Sequence, residues 1–156
     1  MKRLADLLAE ARSRVPEWMP WDLQAKWSAQ PELLVLDVRE PAEFAAAHIA
    51  GSMHVPRGVL EQACEWDFDD TVPELAGGRA TREIVVVCRS GNRSLLAGET
   101  LLNMGFERVA SLKTGVRGWN DFELPLVDGA GHPVDPDTAE SLLAARVRTD
   151  QRKPSA

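Results

Sequence analysis

The 156-residue sequence has no tyrosine, only two cysteines and no long apolar run. Cys64 and Cys88 permit at most one disulfide, which excludes a disulfide-dense secreted scaffold. No C-x-x-C pair is present, and no Cys/His cluster has the spacing of a zinc site. His48 and His54 lie near each other, but no carboxylate or thiol completes a ligand set around them. The opening MKRLADLLAEARSRVPEW lacks the apolar core of a signal peptide, and no stretch is long enough to span a bilayer. Positive charge is also scarce. Eighteen Lys and Arg against 24 Asp and Glu leave a net charge of -6. That excess argues against nucleic acid or an anionic membrane as a partner. The absences point to a cytoplasmic protein with two free thiols and no metal or cofactor. Any cationic site must be local, made by a few arginines on an acidic body.

What is present suits one compact domain: 44% hydrophobic and 27% charged residues. Leu4, Leu7, Leu8 and Ala11 fall at helical spacing and predict a helix over 2–14. Pro16 and Pro20 interrupt it, and a second helix is expected over 21–29. Residues 33–38, LLVLDV, read as a strand buried on both faces. A short helix over 40–47 has Pro41 in its first turn. A strand over 52–55, a helix over 57–64 and a loop over 65–80 follow. Ile84 to Val87 reads as a second buried strand. A helix over 92–104 is stopped by Gly105. A strand over 108–112 and a helix over 115–122 complete the alternation. Strands alternating with helices predict an α/β fold, a mostly parallel central sheet with helices on both faces. Three segments are expected: an N-terminal helical segment (1–19), the α/β domain (20–127) and a C-terminal piece (128–156). In the last, DGAGHPVDP (128–136) reads as a linker, 137–148 as a helix and 149–156 as a disordered tail.

The chemistry-bearing stretch is VVVCRSGNRS, residues 85–94. A lone cysteine after three valines is ordinarily an inert core residue. Its flanks change that reading. Cys88 stands at the carboxyl end of a buried strand, where open parallel sheets bind ligands. The next residues open a helix, whose free N–H groups and dipole form an anion cradle. Gly91 permits the turn, and Arg89 and Arg93 add two permanent charges. Every neighbour favours the thiolate. Phosphatases that use a cysteine have five residues between it and the arginine, enough to enclose a phosphoryl group. Here four residues separate Cys88 from Arg93. A smaller cradle suits a single sulfur added to the cysteine.

Four motifs in order resemble the rhodanese family of sulfurtransferases. They are Asp37-Val38-Arg39-Glu40 with Glu43-Phe44; His48-Ile49-Ala50-Gly51-Ser52 with Val55-Pro56; the loop from Cys88 to Ser94; and Gly115 with Gly118-Trp119. The resemblance covers roughly residues 20–127 and implies the rhodanese fold and a Cys88 persulfide. The implied reaction takes sulfane sulfur from thiosulfate or a persulfide to cyanide, a thiol or an acceptor protein. Arg89, Ser90, Gly91, Asn92, Arg93 and Ser94 would bind the small anionic donor. Members specialised for thiosulfate often carry a cation where this chain has Ser90. Asp37 and Arg39 read as a buried pair giving structural support. Trp119 either walls the pocket or packs, Arg57 has a reach that sequence leaves open, and His48 reads as a helix-end residue. Cys64, beside Glu61 and Glu65, is expected to be a poor nucleophile. Two alternatives stay open: a sulfur-relay carrier using the same persulfide, and a Cys-dependent phosphatase or arsenate reductase. A fold that merely docks a partner is disfavoured by the presence of Cys88.

Overall fold

A computed structural model describes residues 1–155. In chain order the elements are α1 (Leu4–Arg12), β1 (Glu17–Trp18), α2 (Pro20–Ala29), β2 (Leu34–Asp37), α3 (Pro41–Ala46), β3 (His48–Ile49) and β4 (Met53–His54). A 3₁₀ turn (Arg57–Val59) leads into α4 (Leu60–Ala63), then α5 (Pro73–Ala76), β5 (Glu83–Val87), α6 (Asn92–Asn103) and β6 (Arg108–Leu112). The chain ends with α7 (Gly115–Asp121), β7 (Leu126–Val127), β8 (Pro133–Val134), α8 (Pro136–Leu143) and a 3₁₀ turn (Thr149–Gln151).

The main sheet has five strands in the order β1-β6-β5-β2-β4, and every pairing in it is parallel. The apolar runs bury both faces, as side chains two apart share a face. Val35, Val85, Val87 and Leu112 face one core, with Leu23 of α2, Val116 and Trp119 of α7, and Leu143 of α8. Leu36, Ile84, Val86 and Cys88 face the other, with Leu60 of α4, Leu75 of α5 and Leu101 of α6. Helices therefore cover both faces, and β5 lies between two strands at the centre. Parallel strands align their carboxyl ends, so Cys88 emerges at the rim shared with Asp37 of β2.

The structure departs from the sequence reading where partners lie far along the chain. The expected loop 65–80 contains the one-turn α5, started by Pro73 and anchored by the buried Leu75. The expected helix 57–64 divides into the 3₁₀ turn and α4. The expected linker 128–136 contains β8, antiparallel to β7, which pairs in turn with β3. The expected helix 137–148 stops at Leu143, where Ala144 is extended. Ala139 and Leu143 are buried, but Val147 is exposed and has no core to pack against. The tail read as disordered holds the 3₁₀ turn Thr149–Gln151; Ala156 lies outside the described residues.

Both terminal segments pack on the domain. Ala11 and Val15 form a small cluster with Leu95 of α6. Gly98 of α6 is where Val15 comes closest: a Cβ there would lie 2.9 Å from Val15 Cγ1. No described helix is long and apolar enough to cross a membrane.

Candidate active site

The Cys88 loop is held from three sides. Gly91 caps α6 with φ 109°, a left-handed conformation that suits glycine. The turn brings the Gly91 N–H to 3.1 Å from Cys88 Sγ, where it donates to the sulfur. On the second side is the start of α7. The N–H of Val116 donates to the Cys88 carbonyl (2.9 Å) and that of Arg117 to the Arg89 carbonyl (3.0 Å). The helix thus spends two of its otherwise unpaired first-turn donors on the loop. Gly115, at φ 63°, permits this approach, as a Cβ there would lie 2.4 Å from the Cys88 carbonyl oxygen. The third side is β6. Ser111 Oγ donates to Ser94 Oγ (2.7 Å), and Ser94 Oγ donates to the Gly91 carbonyl (3.1 Å). The Cys88 thiol donates to the same Ser94 oxygen at 3.4 Å. Once the sulfur is ionised, that hydroxyl can turn and donate to it, while Ser111 keeps the serine in place.

Cys88 is 2% exposed, and its opening is a cavity of about 260 Å³. The loop side of this cavity is Cys88, Arg89, Ser90, Asn92 and Arg93. These five expected residues therefore come together around the sulfur, and the buried Gly91 and Ser94 hold it from behind. The two arginines differ. Arg93 makes a two-pronged pair with Glu43 of α3, at 2.8 Å for each contact. The Arg93 bond, helped by the Glu40 backbone N–H, holds the Glu43 carboxyl down at about 2 against the partial burial that opposes it. The same bond raises Arg93 further. Arg89 has no ion-pair partner among the described residues.

Asp37 and Arg39 are each about 1% exposed and bind each other through both carboxylate oxygens. Arg39 Nη2 also donates to the Ala47 carbonyl at 2.7 Å, tying β2 to the end of α3. Burial of two charges is compensated only by such complete pairing. His48 contacts the Phe44 carbonyl through Nδ1 and stacks on the Phe44 ring; His54 stacks there too and contacts the Arg39 carbonyl through Nε2. With these contacts they shape the turn after α3, and no metal-holding cluster is found among the described residues.

Two expected pocket residues lie elsewhere. Trp119 does not wall the Cys88 cavity. Its indole is buried in the core on the opposite face of the sheet, and Nε1 donates to the Pro125 carbonyl at 3.0 Å. The helical turn that presents Gly115 to the loop directs residue 119 inward. Arg57 is also absent from the cavity, being held by Glu61 (2.9 Å) and Thr100 (3.0 Å). Sequence reasoning gave no role to Ser111, and quoted Glu43 only within a motif. The signal for Glu43 was its place one turn into a helix beginning at the rim; Ser111 is a polar residue in an otherwise apolar strand.

A family profile described as Rhodanese-like domain matches residues 21–122. The Bacillus subtilis protein YrkF, named as a candidate sulfur carrier, is 34% identical over 112 residues, 71% of this chain and 54% of YrkF. The chain thus spans about half the length of that relative. Thiosulfate sulfurtransferase 16, chloroplastic, of Arabidopsis thaliana is 37% identical, with 58% of this chain and 76% of the relative covered. The solved structure of RPA3614 from Rhodopseudomonas palustris, described as of unknown function and a possible tyrosine phosphatase, superposes with a TM-score of 0.72. It is 27% identical, covering 80% of this chain and 94% of that one. With its profile match extending over most of the sequence, its parallel sheet and its relatives named sulfurtransferases, the chain belongs to the rhodanese-like domain family.

Proposed function

We propose that the protein is a sulfurtransferase that carries sulfane sulfur as a persulfide on Cys88. The observation that supports this most directly is the sulfur itself, at the floor of a small cavity with a backbone N–H donating to it and Arg89 and Arg93 among the residues that line the cavity. In the first half-reaction the Cys88 thiolate attacks the outer sulfur of a donor such as thiosulfate. A bond forms between Sγ and that sulfur, and the donor's own sulfur–sulfur bond breaks with its electron pair leaving on sulfite. The enzyme then holds Cys88–S–S⁻. In the second, an acceptor thiolate or cyanide takes the terminal sulfur, and the electron pair returns to Cys88. Arg89, Arg93 and the Gly91 N–H offset the charge that accumulates as two anions meet. No step requires a general base once the thiol is ionised, and the free thiols suit a reducing cytoplasm.

Similarity to YrkF favours a second reading, a relay in which both donor and acceptor are proteins. The chemistry at Cys88 is the same and the partners differ. Phosphate-ester hydrolysis is the weaker alternative, because four residues between Cys88 and Arg93 make a short cradle.

Intact-mass spectrometry before and after thiosulfate tests the reading. One added sulfur atom, removed by cyanide or excess thiol, is the expected result. Cys88-dependent turnover of an aryl phosphate without sulfur loading would reverse the ranking.

A further inference from the structure

We infer that the N-terminal helix completes the substrate cavity, and that Leu4 makes it selective for a monoanionic sulfur donor bearing an aliphatic group. This rests on the persulfide reading above. The wall facing the loop is apolar: Leu4, the first residue of α1, and Leu96 on α6 stand across from Cys88, Arg89 and Arg93. Leu4 lies outside the span matched by the family profile, which begins at residue 21.

The helix that carries Leu4 is held against α6. The helix is anchored by Ala11 and Val15 against Leu95, by the close passage of Val15 over Gly98, and by Arg14 donating to Asn103 at 2.8 Å. Leu4 itself is 56% exposed, so the core gains little from it. A large apolar side chain held at the mouth of a polar cavity has a use if the ligand has an apolar part. At about 260 Å³ the cavity approaches the ~300 Å³ lower end of sites for small organic ligands, more than a five-atom inorganic anion fills.

The charges agree. Arg93 shares its charge with Glu43, whereas Arg89 has no ion-pair partner among the described residues. One unpaired arginine in the lining of the cavity suits a singly charged donor better than a doubly charged one. An alkyl thiosulfonate, R–SO₂–S⁻, has the required character. The Cys88 thiolate attacks its outer sulfur, the sulfur–sulfur bond breaks, and the pair leaves on a sulfinate, R–SO₂⁻. Two negative charges enter the step and two leave it. An alkyl persulfide, R–S–S⁻, reacts in the same way and releases R–S⁻.

The full-length protein is assayed with thiosulfate and with a propyl thiosulfonate, alongside the Leu4→Ala and Leu7→Ala variants. Wild type is expected to show the higher kcat/KM with the propyl donor. Leu4→Ala should lower that value about fivefold through KM, less than the ~10-fold of an enclosed methylene because this wall is half open. Thiosulfate, which has no aliphatic group for Leu4 to contact, should lose less than the propyl donor, so that the ratio of the two kcat/KM values falls. Leu7→Ala, on α1 but not at the cavity, should change neither. A companion measurement needs no sulfur transfer: alkanesulfonates should protect Cys88 from iodoacetamide more strongly as the chain lengthens, and Leu4→Ala should flatten that trend. Equal donor ratios in wild type and Leu4→Ala, or protection independent of chain length, overturns the inference while leaving the persulfide reading intact. Failure of both donors to load sulfur overturns the persulfide reading and this inference with it.

Discussion

Cys64 and Cys88 are both free, both buried, and both packed in the same apolar cluster. They nonetheless occupy opposite chemical environments. Cys64 caps the one-turn α4, with Glu61 and Glu65 nearby and no exposure at all. Burial, with Glu61 and Glu65 adding to it and Arg79 opposing, pushes its thiol up to about 11. Cys88 has nearly the same burial but ends a strand instead of a helix. That puts a turn and a helix start against its sulfur, and over it a cavity lined in part by two arginines. Burial alone makes a thiol inert. Burial combined with fixed donors and an opening is what a nucleophile needs.

Exchanging the sulfur atoms is the most severe test of this contrast. Cys88→Ser should lower sulfur transfer by at least about a thousandfold and abolish loading, with the fold kept because a hydroxyl is nearly isosteric. Cys64→Ser should load and turn over like wild type. Mapping of the added sulfur to Cys64 by peptide mass analysis would sink the assignment.

Gly115→Ala tests whether the clamp on the loop matters. The new Cβ meets the Cys88 carbonyl and the residue is held at φ 63°, so about 2–3 kcal/mol of stability should be lost. Urea denaturation measures that loss, and an unchanged midpoint contradicts the clamp. Activity should fall with it, as the loop can relax only by moving Cys88.

Removing one cation is a smaller perturbation. Arg93→Ala should cut kcat/KM at least about tenfold. Glu43→Gln, which leaves the guanidinium in place without its counter-charge, should cut it less. The pH dependence follows from Glu43. Its lowered value keeps the ion pair complete above the ordinary carboxylate range near 4.5, and the pair weakens as pH falls toward about 2. A limb of the activity profile between pH 5 and 9 that disappears in Glu43→Gln contradicts this.

The mildest effect concerns Cys64 left as it is. Its raised value stabilises the fold fully below the ordinary thiol value near 9, and that contribution is lost as pH rises from there through about 11. Iodoacetamide at pH 8 should therefore modify Cys88 promptly and reach Cys64 only when the protein unfolds.

The strands that carry the site were legible because their apolar runs are continuous, as in Leu34–Asp37 and Glu83–Val87. The loop was legible because cysteine, glycine and arginine sit within seven residues of one another, with α6 announced by its stop at Gly105. Four two-residue strands were not fully legible. Glu17–Trp18, His48–Ile49, Leu126–Val127 and Pro133–Val134 are strands only because of what they pair with, and such partners leave no local pattern. Side-chain direction was the other blind spot. The sequence places Trp119 four residues after Gly115 but does not say that α7 turns it into the core. It puts Glu43 fifty residues before Arg93 and gives no sign that they meet.

The two-residue strand β1, at one margin of the sheet, has a further consequence. Glu17 and Trp18 lie alongside Ser111 and Leu112, with the Ser111 N–H donating to the Pro16 carbonyl and the Lys113 N–H to that of Trp18. A chain shortened to residues 21–122 loses this cover. The outer edge of β6 is then an open row of unpaired amides over an apolar core, able to recruit a strand from another molecule. The nineteen residues ahead of α2 therefore act as a guard against self-association, and solubility should be the first property to fail when they are removed.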